Sequence, residues 1–303
     1  MSPRVVVLAG GTGGAKLARG MLDIVGGDSL TVIANTGDDI EIYGAYVSPD
    51  PDLVTFWLAD RIDERGWGLA GDSFNVMEAL KRLQVDVWFN LGDEDLAIGL
   101  ERARRLDHGE RLTEAHAAIA RALEAPGRVL PMSDAPVRTH VMAHDRWLPF
   151  QEYMIRSGTE GPVQDVDFRG AKNAESTPEV REAITGADAI VIGPSNPVIS
   201  IGPILAVPGI RAALTSRAAP AVAVSPLVAG AVVKGPTAPF MAWAGRSLDS
   251  DGIAAHYEGL IDGLIADQRA SVVPTLETDT LMGTADARRR VADETLRFAL
   301  GLA

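Results

Sequence analysis

The apolar residues of this chain fall into short, dense runs, and almost every run ends in a polar or glycine-rich turn. Arg4 to Leu8 is a β-branched run that leads into Ala9-Gly10-Gly11-Thr12-Gly13-Gly14. From Ala15 to about Ile24 the pattern changes, with Leu17, Met21, Leu22 and Val25 at helical spacing. A second run, Leu30 to Ala34, ends in Asn35-Thr36-Gly37-Asp38-Asp39. Strand, glycine-rich turn, helix and strand form the opening of a nucleotide-binding βαβ unit.

Between Leu53 and Leu123 the spacing predicts mainly helix, broken by glycine-rich turns at Gly66–Gly71 and by a short run from Val87 to Leu91. From Val129 to Phe168, alternating stretches at Thr139–Ala143, Leu148–Met154 and Val163–Phe168 predict a small antiparallel β subdomain. The α/β rhythm returns at Ala189–Ile192, which ends in Gly193-Pro194-Ser195-Asn196-Pro197, and at Ala221–Val224, which ends in Ser225-Pro226. A last strand near Val272 precedes a C-terminal helix running to about Leu302. The expected fold is α/β. A Rossmann-like, mostly parallel sheet with helices on both faces is built from residues 1–130 and 180–303. A helical insertion occupies about 51–125, and the small β subdomain spans 131–179. In such sheets the crevice lies at the carboxyl ends of the strands, so these sequence-distant turns should converge on one site.

Composition narrows the function. The 303 residues are 47% hydrophobic, enough for a large core, and none is cysteine, which removes disulfides and thiolate chemistry. A net charge of −13 argues against a nucleic-acid partner. The apolar start is too short for a signal peptide, and no stretch approaches the ~20 apolar residues that a membrane span needs. A cytoplasmic protein without membrane or nucleic-acid partners is the expectation. A small phosphorylated ligand stays compatible with the acidity, because backbone N–H groups and a divalent cation can hold it.

The first turn suits a phosphate: glycines let it approach the backbone, and the following helix offers N–H groups and the positive end of its dipole. The G-x-G-x-x-G register fails, since the third glycine would fall at Lys16, and no Gly-Lys-Ser/Thr ending follows. This favours phosphate binding over a nicotinamide dinucleotide; a bare strand-to-helix turn explains the same glycines without any ligand. Asp38 and Asp39 follow the second strand, and Asp50 and Asp52 lie beyond an extended segment, Ile40 to Val47, that can fold back on it. Hard carboxylate oxygens of this kind suit Mg²⁺ together with substrate phosphates, although each aspartate singly also fits an ordinary turn. Ser195 and Asn196 suit either a helix cap or a hydrogen bond to a nucleotide. Gly66-Trp67-Gly68 and Trp88-Phe89-Asn90-Leu91-Gly92-Asp93 place aromatic side chains beside glycines and acids, as a planar ligand or ordinary packing requires. The histidines show no metal-ligand spacing.

In this order, the Gly10–Lys16 turn, Asn35-Thr36-Gly37-Asp38-Asp39, Pro49-Asp50-Pro51-Asp52, Gly66-Trp67-Gly68, Trp88–Asp93, Leu130-Pro131-Met132-Ser133-Asp134, Phe150-Gln151-Glu152, Gly193–Pro197, Ser200-Ile201-Gly202-Pro203-Ile204-Leu205 and Ser225-Pro226-Leu227-Val228 closely resemble the 2-phospho-L-lactate transferase family of coenzyme F420 biosynthesis. The resemblance implies a Mg²⁺-dependent, homodimeric transferase. Its acceptor would be the deazaflavin Fo and its donor a GDP-linked three-carbon acid (lactyl, enolpyruvyl or glyceryl), with GMP released. It implies Asp38 and Asp50 as catalytic, metal-binding aspartates. Gly10, Gly11, Thr12, Gly13, Gly14, Lys16, Asn35, Ser195 and Asn196 would hold the nucleotide, and Asp52, Trp67, Trp88, Phe89 and Asp93 would hold the deazaflavin. Two departures stand out: Leu53 replaces a usual threonine, and Glu94 stands where a basic residue is common. The competing readings are a non-catalytic regulator of the same fold that binds a nucleotide sugar or dinucleotide, and an NAD(P)-dependent oxidoreductase.

Overall fold

The structure, a computed structural model, describes residues 2–159 and 161–303. Seven strands form one parallel sheet: β1 (Val5–Ala9), β2 (Leu30–Ala34), β3 (Arg128–Pro131), β4 (Ala189–Ile192), β5 (Ala221–Val224), β6 (Gly263–Ala266) and β7 (Thr275–Glu277). Their spatial order is β3-β2-β1-β4-β5-β6-β7, and every pairing is parallel. The order reverses between β1 and β4, so the crevice of a doubly wound sheet opens there.

The dense apolar runs are explained by burial on both faces. Val5, Val7 and Ala9 point to a layer formed by α1 (Gly11–Val25), α2 (Pro49–Leu58) and the C-terminal helix Ala285–Leu300. Val6 and Leu8 point the other way, toward Val180, Ile184, Ile204, Ile210 and Ile253 on helices of the second half. Each fully buried Val or Leu contributes about 1.5–3 kcal/mol, so the central strands anchor the turns at their ends firmly.

Two attachments flank the sheet's carboxyl edge. The insertion contains α3 (Asn75–Arg82), α4 (Asp93–Asp107) and α5 (Leu112–Ala122). It packs Met77, Leu91 and Leu96 against Ala45 and Val47 of a hairpin formed by Ile40–Ile42 and Ala45–Val47. The subdomain is a three-stranded antiparallel sheet of Arg138–Ala143, Arg146–Pro149 and Asp165–Arg169.

Several sequence expectations change. Leu148–Met154 is not one strand: the strand stops at Pro149 and a short helix, Phe150–Ile155, follows. Val87 to Leu91 forms no regular element; Trp88 to Leu91 line a cavity instead. Val272 is 61% exposed in a loop, and two strands flank it, at Gly263–Ala266 and Thr275–Glu277. Gly263 defeats a propensity-based reading of its strand; its Cβ position is filled by Phe298. Helix α1 begins at Gly11 rather than Ala15, so the glycine turn is itself the first helical turn. Among the described residues no single helix is long and apolar enough to cross a membrane.

Candidate active site

Two cavities open at the carboxyl edge of the sheet, and they meet. The first, about 320 Å³, lies at the β1/β4 crevice and is lined by Gly10, Gly11, Thr12, Gly13, Lys16, Asp38, Asp50, Ser195 and Asn196. Its remaining walls come from the Phe150–Ile155 helix, Pro194, Ile199 and Ser200, the Ser225-Pro226 turn with Val228, Val233–Thr237 and Thr280–Gly283. The second, about 420 Å³, lies under the insertion and has aromatic walls from Phe56, Trp67, Phe74, Trp88 and Phe89. Both volumes fall in the range typical of small-molecule sites. Thr12, Asp50 and Lys234 line both cavities and mark their junction.

The glycine turn is built by close packing as much as for a ligand. The Gly10 N–H donates to Ser195 Oγ at 3.2 Å, which ties the ends of β1 and β4 together. A Cβ on Gly13 would overlap the Pro194 carbonyl oxygen, and one on Gly14 would lie 2.7 Å from Ser195 Oγ. Gly13 and Gly14 are therefore demanded by the Pro194-Ser195 turn nested against them, whether or not a phosphate binds. Gly14 does not reach the cavity surface; Thr12 and Gly13 do. The residue at the start of α1, Gly10, has no side chain to cap the helix, and its first turn carries no acid, so its positive end is left to groups from other elements and to the cavity.

Asp50 sits opposite that end. Its Oδ1 accepts the Gly11 N–H at 2.6 Å and its Oδ2 accepts Asn35 Nδ2 at 2.9 Å. Asn35 Oδ1 in turn accepts the Gly37 N–H at 2.7 Å, which orients the amide. Asn35 thus stands behind Asp50 and does not line the cavity, contrary to its assignment to the nucleotide. Burial pushes the Asp50 carboxyl up to about 6, opposed by the bonds from Asn35 and Gly11. Asp38 is buried and lines the same cavity, and its Oδ1 has no hydrogen-bond partner. Burial first, and then the charge of Asp50, hold its carboxyl well above the usual range. Asp39 turns away: Ser48 Oγ donates to its Oδ1 at 2.8 Å and Tyr46 OH to its Oδ2 at 3.0 Å.

An orphaned buried carboxylate oxygen beside a second carboxylate is a deficit of positive charge. The pair fits Mg²⁺, which takes one or two carboxylates and completes its shell with water and phosphate oxygens. Among the described residues no group of three or more His, Asp or Glu forms a cage of its own.

The remaining assignments divide. Lys16 lines the first cavity; burial, Arg288 and Lys234 all lower its ammonium's pKa. Asn196 Oδ1 caps the following turn through the N–H groups of Val198 and Ile199, at 3.0 and 3.2 Å, leaving its amide NH₂ near Thr237 Oγ1 at 3.5 Å. Trp67 stands at the rim, 61% exposed, while Trp88 and Phe89 form the wall. Asp52 touches the second cavity, but both its oxygens are taken by the buried Arg102 guanidinium, so it ties α2 to α4. Asp93 is not in the wall: it accepts from Ser73 Oγ at 2.7 Å and from the Val76 N–H at 3.0 Å, capping α3. Asp95, two residues on, faces the cavity instead. Leu53 lies in the wall as well.

Sequence reasoning missed Asp95, Ser200 and Lys234. For Lys234 a signal existed: a lone lysine before Gly235-Pro236, shortly after the Ser225-Pro226 motif.

The family described as 2-phospho-L-lactate transferase CofD matches residues 5–295. A phosphoenolpyruvate transferase of Kitasatospora aureofaciens is 43% identical over 272 residues, covering 87% of this chain and 85% of its own. A 2-phospho-L-lactate transferase of Methanosarcina mazei is 36% identical over 266 residues, covering 88% and 87%. A crystal structure of a UPF0052 family protein from Bacillus halodurans superposes with a TM-score of 0.65 over 98% of this chain and 99% of that one. At 19% identity this likeness concerns the fold alone. With a family match over nearly its whole length and relatives this similar, the chain belongs to the CofD family of transferases in coenzyme F420 biosynthesis.

Proposed function

We propose that this transferase moves a phosphorylated three-carbon acid (phospholactyl, phosphoenolpyruvyl or phosphoglyceryl) from a GDP-linked donor to the terminal ribityl hydroxyl of Fo. The observation that carries the reading is the junction at Asp50. A cavity with helix N–H groups and a lysine, suited to a diphosphate, opens into an aromatic-walled cavity suited to a planar acceptor.

In this reading the hydroxyl oxygen bonds to the distal phosphorus, the bond from that phosphorus to the bridging oxygen breaks, and GMP leaves with the electron pair. The hydroxyl proton passes to a carboxylate of the Asp38–Asp50 pair. Such transfers need positioning and charge neutralisation more than covalent work. The α1 amides and Lys16 bind the diphosphate, Asn35 and the Gly11 amide orient Asp50, and the aromatic walls exclude water from the acceptor. Asp38 and Asp50 would hold Mg²⁺, which supplies positive charge against the diphosphate.

The test is incubation of the purified protein with Fo and each GDP-linked acid, with Mg²⁺ and with chelator, following products by mass. An adduct of Fo bearing the phosphorylated acid, formed together with GMP and lost with chelator, supports the proposal. Absence of any adduct with all three donors would overturn it.

A further inference from the structure

Lys234 is the cationic side chain that belongs to both cavities. It sits between the hairpin of Leu227–Val228 and Ala231–Val232 and the helix Thr237–Trp243. Left-handed backbone at Ala229 (φ 51°), Gly230 (φ 71°) and Gly235 (φ 80°) bends this stretch over the junction. Its Nζ lies 3.4 Å from Thr12 Oγ1, a long hydrogen bond across 222 residues of sequence that directs it toward the first turn of α1. Asp38 and Asp50 line the same space, yet among the described residues neither Lys234 nor Lys16 forms an ion pair. Lys16 lines the first cavity only, and its Nζ lies 5.9 Å from the centre of the Trp57 ring.

Lys234 is exposed at the mouth of a cavity that also holds two carboxylates, and its ammonium, in no ion pair and directed to a hydroxyl, can turn to an anion that arrives from outside. The junction is where the two ligands must touch, so the anion there is the phosphate being transferred. We infer that Lys234 is a catalytic residue that binds the distal phosphate of the donor at the meeting point of the cavities, while Lys16 and the α1 amides hold the inner part. The inference rests on the donor reading above and names the residue that selects a diphosphate over a monophosphate.

The test compares GMP and GDP binding by calorimetry, in one Mg²⁺-containing buffer, for the parent protein, Lys234→Ala and Lys234→Arg, with melting curves as a folding control. A charge-assisted hydrogen bond of this kind corresponds to about tenfold to a hundredfold in affinity. Lys234→Ala should lose that much of the preference for GDP while GMP affinity stays unchanged, and Lys234→Arg should restore most of it. A Lys234→Ala protein that keeps the parent's full preference overturns the Lys234 assignment and leaves the donor reading standing. A parent protein that binds GMP and GDP equally, or neither, overturns both.

Discussion

The Asp50 carboxylate and the Gly11 N–H are 2.6 Å apart, so the first helical turn after β1 and the start of α2 are joined across the candidate active site. The bond holds a carboxylate against the positive end of a helix, in a place where burial alone would favour its neutral form. Replacing Asp50 by Asn keeps the shape but puts an NH₂ where one of two donors now points. Turnover should fall by about 10²-fold or more, the scale of losing a positioned acid–base or charge-bearing group. Steady-state kinetics alongside circular dichroism decides it. Undiminished turnover in Asp50→Asn would remove Asp50 from the chemistry.

Asn35 acts through Asp50. Asn35→Ala strands Asp50 Oδ2 and the Gly37 N–H without partners, both in buried surroundings. Each unsatisfied buried group costs about 1–3 kcal/mol. A lower denaturant midpoint together with reduced kcat is expected. Unchanged stability would mean that water takes over the role of the amide.

Gly13 tests the packing account of the glycine turn. Its backbone is helical, so alanine is conformationally acceptable there, and only the collision with the Pro194 carbonyl opposes it. Gly13→Ala should destabilise the protein by about 1–3 kcal/mol, the usual cost of overpacking. Gly11→Ala meets no atom within 4 Å and is strained only through its φ of +62°. If Gly13→Ala melts like the parent protein, close nesting of the β1 and β4 turns is not what demands a glycine at 13.

Asp95 contributes a separable share of the pH dependence. Burial first, then the charges of Asp52, Asp72 and Glu94, push its carboxyl up to about 7, with Arg65 opposing. A carboxyl whose folded-state value is raised binds protons in the folded state that the unfolded chain has released. Its contribution to stability is therefore complete below about pH 4, the unfolded value, and is lost as pH rises through about 7. Asp95→Asn should melt like the parent near pH 4 and above it at pH 8. A constant difference between the two proteins across that range would rule out Asp95 as the source.

The chain's local pattern already carried the parallel sheet and the polar turns at its edge, while the choice of Asp38 and Asp50 among four aspartates came from the family motifs. The sheet and its turns follow from burial on two faces and from the rule that a doubly wound sheet opens at its strand ends. The family motifs were legible for the same reason: residues packed around one crevice occur as short contiguous words. What the pattern did not carry is which side chains near that crevice are already spoken for. Asp52 and Asp50 lie two apart in one helix, yet Arg102 of α4 claims Asp52 while Asp50 faces the junction. Asp93 and Asp95 stand two apart in the first turn of α4, roughly 200° around the helix axis, and only docking against α3 decides that Asp93 caps that helix and Asp95 lines the cavity. Lys234 reaches Thr12 because a hairpin far along the chain folds across the sheet edge. Sequence determines which groups can do this chemistry; long-range packing, through steric fit and pairing of buried charge, decides which of them are left free to do it.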